Sequence, residues 1–188
     1  MIYMFLAEGF EEIEAVAPLG ILRRAGKQVE TVAVATVGNS DNTVASARGV
    51  KLVADVNISE VELNADVEMI ILPGGMPGVK NLYASDKVKA AVNYCAENGI
   101  FIAAICAAPM ILGRENLLNG KTATCYPGFE KDLAGANVST DSVVVDGKII
   151  TAKSAGASLE FGFKLVEVLA GTESAEKIRK AMLHSFMP

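Results

Sequence analysis

Three residue groups in this chain have the types and spacing for chemistry: Cys106, Glu14 and the pair Gly74-Gly75. A cysteine thiolate attacks carbonyl carbons and is readily oxidised. A carboxyl group one hydrogen bond away can share a proton with it and then serve as general acid and base. Two negative charges at that distance are costly, so a neutral Glu14 beside a Cys106 thiolate is the expected arrangement. Paired glycines after a strand let the backbone approach closely, and their N–H groups can form an anion hole.

The stretch Ile100-Phe101-Ile102-Ala103-Ala104-Ile105-Cys106-Ala107-Ala108-Pro109-Met110 must place the thiol. It starts as a continuous apolar run, the pattern of a strand buried on both faces. Pro109 then suits the first turn of a helix. Cys106 thus stands at a strand-to-helix corner, as nucleophiles of hydrolases do. The helix N-terminus predicts a thiol pKa below its reference of roughly 8.5.

Ile2 to Leu6 reads as the first buried strand, and Glu11 to Ala25 as a helix with Ile13, Val16, Ala17, Gly20 and Ile21 as its apolar stripe. Gly26 suits its end. Of the acids Glu11, Glu12 and Glu14, the last shares a side with Ala17, Pro18 and Ile21 and is the candidate for burial. Pro18 cannot donate to the carbonyl of Glu14, so a kink or restart is expected there. Further strands are read at Gln28 to Thr36, Asp66 to Leu72 and Lys121 to Cys125. A turn is read at Asn39 to Asn42 and a short extended pair at Lys51 to Asp55. A hairpin around Asp146-Gly147 is read over Ser142 to Thr151. One or two helices fill Lys80 to Asn98, with Cys95 in their buried stripe, and two more run from Gly156 to Leu169 and from Ser174 to Phe186. This alternation predicts one α/β domain over residues 1–188, with a doubly wound, mainly parallel sheet between helices. Sites in such sheets lie beyond the carboxyl ends of the strands, where Glu14, Gly74-Gly75 and Cys106 all fall.

Composition narrows the function. The chain has 188 residues, 51% of them hydrophobic, and a net charge of −5 with scattered basic residues, which argues against nucleic acid as the main partner. No apolar run is long enough for a membrane span. Met1 to Leu6 lacks the basic start and cleavage site of a signal peptide, and three widely spaced cysteines form no disulfide or metal pattern. A reducing cytoplasm and no metal are the expectations. The single histidine, His184, is far along the chain from every other site element, so a Cys–His hydrolase dyad is not expected.

Gly9-Phe10-Glu11-Glu12-Ile13-Glu14, Arg23-Arg24-Ala25-Gly26, Leu72-Pro73-Gly74-Gly75 and Ala103-Ala104-Ile105-Cys106-Ala107-Ala108-Pro109 carry a family resemblance over nearly the whole chain. It resembles the ThiJ/PfpI superfamily, most closely its YajL and Parkinson-associated deglycase branch. The resemblance implies a flavodoxin-like fold and a homodimer with sites near the interface. It implies that Cys106 is the oxidisable nucleophile and Glu14 its protonated partner. It further implies that the N–H groups of Gly75 and Ala107 form an oxyanion pocket and that Gly74 shapes the turn. Arg48, and Arg24 from the other subunit, would line the approach. The implied activity is cofactor-free conversion of methylglyoxal or glyoxal to a hydroxy acid, or removal of early glycation adducts from proteins. The implied alternative is an oxidative-stress sensor or chaperone in which Cys106 becomes a sulfinic acid. Two departures stand out. Tyr126 precedes Pro127 where the branch often has histidine, and Ala107 follows the cysteine where the protease-like branch has histidine.

Overall fold

The computed structural model describes residues 1–34 and 41–183. The end of the Gln28 to Thr36 strand, the first half of the Asn39 to Asn42 turn, the last residues of the final helix and His184 lie outside the described residues.

Strand β1 (Ile2–Ala7) leads to helix α1 (Glu12–Arg24) and strand β2 (Val29–Val34). Three short strands follow, β3 (Thr43–Ala45), β4 (Lys51–Val53) and β5 (Val56–Asn57). Strand β6 (Met69–Leu72), helices α2 (Gly78–Ala84) and α3 (Asp86–Glu97), strand β7 (Phe101–Ile105) and helix α4 (Pro109–Arg114) form the middle of the chain. Strands β8 (Thr122–Ala123), β9 (Asn137–Val138), β10 (Val143–Asp146) and β11 (Ile149–Ala152) precede helices α5 (Ser158–Ala170) and α6 (Thr172–Ala181).

The main sheet runs β10-β11-β7-β6-β1-β2-β5. Only the β10–β11 pair is antiparallel, so the expected flavodoxin-like order of a doubly wound sheet is present in β2-β1-β6-β7-β11. Helices cover both faces. Along β1, Tyr3, Phe5 and Ala7 pack toward α2, α3 and α4, while Ile2, Met4 and Leu6 pack toward α1, α5 and α6. That period-two division is why the strand reads as an unbroken apolar run.

Three expectations need correction. Helix α1 does not break at Pro18 but continues through it to Arg24. Close packing on α5 supports this turn: a side chain at Gly162 would meet Ile21 Cδ1 at 2.7 Å and Pro18 Cα at 3.0 Å. The buried face of α1 is also rotated from the expected stripe. Glu14, Ala15, Pro18, Leu19, Ile21 and Leu22 are buried, whereas Ile13 (53% exposed), Val16 and Gly20 face out. Lastly, Lys121 to Cys125 forms no strand of the main sheet. Only Thr122–Ala123 is extended, paired with β9 in a separate ladder. Side chains take the N–H groups that a longer ladder would need: Thr122 N donates to Asp146 Oδ2 (2.8 Å) and Thr124 N to Thr151 Oγ1 (2.9 Å).

The region between Lys80 and Asn98 is two helices, divided at Ser85, whose hydroxyl accepts from Val88 N. Cys95 is buried in the core, as its spacing predicts. No helix among the described residues is long and apolar enough to cross a membrane.

Candidate active site

Three strand ends build the site. After β7, Cys106 adopts a left-handed backbone (φ 65°), which a residue with a side chain occupies only when its surroundings hold it there. Two hydrogen bonds do so: Cys106 N donates to Ala152 O on the neighbouring β11 side, and Tyr126 N donates to Cys106 O, both at 2.8 Å. Cys106 packs at the edge of the core layer on the α1 and α5 side and is half-buried, whereas Cys95 and Cys125 are buried.

After β6, Gly74 passes between Glu14 and Cys106. A Cβ on Gly74 would strike Glu14 Oε2 and would lie 2.6 Å from Cys106 Cβ and 2.9 Å from Ile105 O. The missing side chain therefore lets the acid and the thiol meet. Gly74 N donates to Glu14 Oε2 at 2.9 Å across 60 residues of sequence, and Gly74 O accepts from Glu11 N at 3.0 Å. Gly75 has φ 91° and turns its own N–H toward the sulfur.

After β1, helix α1 carries Glu14 into the interior, where it is 1% exposed. Its Oε1 has no nitrogen or oxygen partner among the described residues, and the polar group facing the carboxyl is the Cys106 thiol. Burial is the largest influence on Glu14 and raises its pKa to about 7. Hydrogen bonds from Cys106 and Gly74 oppose the rise, and the nearby Glu11 charge adds to it. Burial likewise pushes the Cys106 thiol up, to about 12, with the Glu14 carboxylate reinforcing it and the N–H groups of Ala107 and Gly75 pulling it down.

This corrects the expected low-pKa thiol. Helix α4 has only six residues and begins three positions after Cys106, so its dipole does not decide the titration; burial and Glu14 do. The two groups titrate as a unit. Near pH 7 the pair gives up one proton, and a second is lost only far into alkali, because burial and repulsion oppose a doubly charged pair. With the shared proton on Glu14, its repulsion disappears and its O–H can donate to the sulfur, leaving the charge on the atom that two backbone N–H groups address.

A cleft of about 520 Å³ opens over the pair, lined in part by Glu11, Arg48, Gly75, Met76, Tyr126 and the segment Ser154-Ala155-Gly156. The β3–β4 hairpin brings Arg48 there. Gly9 N donates to Ala45 O (2.8 Å) and Ala47 N to Phe10 O (2.7 Å), which fasten the hairpin to the loop after β1. The structure thus gathers Cys106, Glu14, Gly74, Gly75, Ala107, Arg48 and Tyr126. It does not bring Arg24, which ends α1 a helix length from Glu14 and lines no part of this cleft in its own chain. Sequence reasoning missed Ser154, Ala155 and Gly156. The available signal was the β10–β11 hairpin, because a strand beside β7 must end at the same sheet edge as Cys106.

A family model described as the DJ-1/PfpI family matches residues 1–168. The chain belongs to the DJ-1/PfpI family. Within this family it is 40% identical over 179 residues to protein DJ-1 homolog B of Arabidopsis thaliana, covering 95% of this chain and 40% of that protein. The chain therefore spans less than half the length of that relative. It is 31% identical over 176 residues to glutathione-independent glyoxalase DJR-1.2 of Caenorhabditis elegans, covering 93% of this chain and 91% of that one. Among solved structures of the family, oxidized Toxoplasma gondii DJ-1 superposes with a TM-score of 0.91 at 36% identity, covering 98% of both chains. The DJ-1/PfpI fold is accordingly the fold of this chain, as expected from its residues.

Proposed function

We propose that this chain is a cysteine-dependent, glyoxalase-type enzyme that converts small 2-oxoaldehydes such as methylglyoxal or glyoxal to 2-hydroxy acids. Removal of early glycation adducts from proteins is the same chemistry on a bound aldehyde. One observation carries the reading: a half-buried thiol is hydrogen-bonded to a buried carboxyl whose pKa is raised to about 7, at the floor of an open cleft, with two N–H groups turned to the sulfur. The C. elegans relative named a glutathione-independent glyoxalase supports it.

In the reaction, Cys106 sulfur, its proton held by Glu14, adds to the aldehyde carbon and forms a hemithioacetal. The N–H groups of Gly75 and Ala107 stabilise the developing oxyanion. Glu14 gives that oxygen its proton and, now a carboxylate, removes the hydrogen from the former aldehyde carbon. It returns this proton to the adjacent carbon through an enediol, leaving a thioester on Cys106. Water hydrolyses the thioester, releasing the 2-hydroxy acid and restoring the thiol. One carbon is oxidised as its neighbour is reduced, so the sequence calls for no cofactor. A pKa of about 7 suits a group that both donates and accepts near neutral pH. Purified wild type should clear methylglyoxal, and Cys106→Ser should fall to background, a loss of about 10³-fold or more. Equal rates in the two proteins would refute the proposal.

A second reading is favoured by the likeness to the oxidized T. gondii protein. The same N–H groups and acid would hold the oxygens of a Cys106 sulfinate, making the chain a sensor of oxidative stress or a chaperone. Mass spectrometry after mild peroxide distinguishes them: sulfinic acid confined to Cys106 in a chain that turns over no aldehyde selects the sensor.

The proposal includes a homodimer. Exposed Ile13 and Val16 beside Gly20 give α1 an apolar outer face, and Arg24 could reach a site only in a second copy. Sedimentation should give twice the chain mass for wild type and a monomer for Ile13→Asp; equal masses would remove the dimer.

A further inference from the structure

We infer that Tyr126 is a specificity-determining residue and that the cleft prefers a 2-oxoaldehyde with an aromatic substituent over methylglyoxal. The inference deepens the aldehyde reading and rests on it for turnover, though not for binding.

The first observation is room. Methylglyoxal has five heavy atoms, which at the roughly 30 Å³ of a water-sized group would fill about 150 Å³. The cleft holds about 520 Å³, leaving space for a ring beyond the reacting carbons. The second is the wall. Tyr126 is 47% exposed and Met76 37% exposed, and both line the cleft. Neither is free to drift from the chemistry. Tyr126 N donates to Cys106 O at 2.8 Å, its own carbonyl accepts from Phe129 N at 3.1 Å, and Met76 directly follows the Gly75 donor. The backbone therefore holds an aromatic ring and a thioether beside the nucleophile and the anion hole, suited to stacking and sulfur–ring contact.

The third observation is charge. The two charged side chains around the rim, Glu11 and Arg48, have opposite signs, so the rim adds no net charge to that of the Cys106–Glu14 pair at its floor. The Arg48 guanidinium can also lie on a ring face.

The test uses phenylglyoxal and methylglyoxal with wild type, Tyr126→Ala and Tyr126→Phe. The ratio of kcat/KM for phenylglyoxal to that for methylglyoxal should favour phenylglyoxal about tenfold in wild type, persist in Tyr126→Phe and collapse in Tyr126→Ala. A ratio unchanged by Tyr126→Ala overturns the inference. Product binding provides an independent arm. In ligand-observed NMR titrations, mandelate should bind at least about fivefold more tightly than lactate, and Tyr126→Ala should equalise them. Equal affinities in wild type, or no mandelate binding, also overturn the inference. Turnover absent for both aldehydes, with mandelate selectivity intact, would refute the enzyme reading alone.

Discussion

Glu14→Gln is expected to stabilise the folded chain at pH 8 by about 3 kcal/mol while cutting aldehyde turnover by about 10²-fold or more. The stabilisation comes from burial. In the folded chain the Glu14 carboxyl holds its proton up to about pH 7, against 4.5 for an ordinary glutamate. Across that window the unfolded chain releases the proton and the folded chain keeps it, so folding stability falls as pH rises from about 4.5 to 7 and levels off above. Below 4.5 both states are protonated and nothing is lost. Glutamine carries no charge at any pH. Its oxygen can accept from Gly74 N, and its amide can face the sulfur where Oε1 now has no nitrogen or oxygen partner among the described residues. Urea unfolding under reducing conditions should therefore show a wild-type stability that declines between pH 5 and 8 and a variant that lacks this decline. Parallel curves would mean that Glu14 ionises freely in the fold.

The loss of turnover has a separate cause. An amide can neither remove the aldehyde hydrogen nor return it. Iodoacetamide reactivity of Cys106 reports the same coupling. In wild type it should rise near pH 7 with the first ionisation of the pair. In Glu14→Leu the thiol titrates alone, raised by burial, and the rise should move well into alkali. Cys95 and Cys125, pushed by burial to about 12 and about 11, should remain slow throughout.

Gly74→Ala is expected to destabilise the chain by about 1–3 kcal/mol and to remove most aldehyde turnover. The new methyl would strike Glu14 Oε2 and crowd Cys106 Cβ and Ile105 O. The carbonyl belongs to the end of β7 and cannot retreat without breaking the sheet, so the carboxyl must give way. It would then lose the Gly74 N–H and its place against the thiol. Chemical denaturation and methylglyoxal kinetics check both effects. Wild-type values for both would show that the acid and thiol are not held across a single missing side chain.

Much of this site was legible before any coordinates. Cys106 at the end of an apolar run and ahead of Pro109 reads as a strand-to-helix corner, because strand and helix periods are local properties of the chain. The same periods placed Gly74-Gly75 after a strand, and the alternation of elements put all three groups at one sheet edge. Pairing with β11 then located Ser154 to Gly156 beside them, which a reading of the hairpin by itself did not yield.

Tertiary structure decided what depends on contacts between distant residues. Periodicity did not separate Glu11, Glu12 and Glu14, and it placed the apolar stripe of α1 on the wrong face. The side that Glu14 shares with Pro18 and Ile21 had marked it for burial, and the packing of α1 on α5, with Gly162 against those two residues, carries that side inward. The titration of Cys106 likewise followed from burial and from a carboxyl brought near by folding, forces that no local helix dipole could match. Arg48 entered the cleft because a hairpin is fastened to the loop after β1, and Tyr126 because its N–H is spent on Cys106. Sequence alone singled out Cys106 as the candidate nucleophile and placed it at its corner, since backbone preference is encoded locally. The shared proton, the walls and the room above the sulfur came from desolvation and contact, which exist only once the chain has closed on itself.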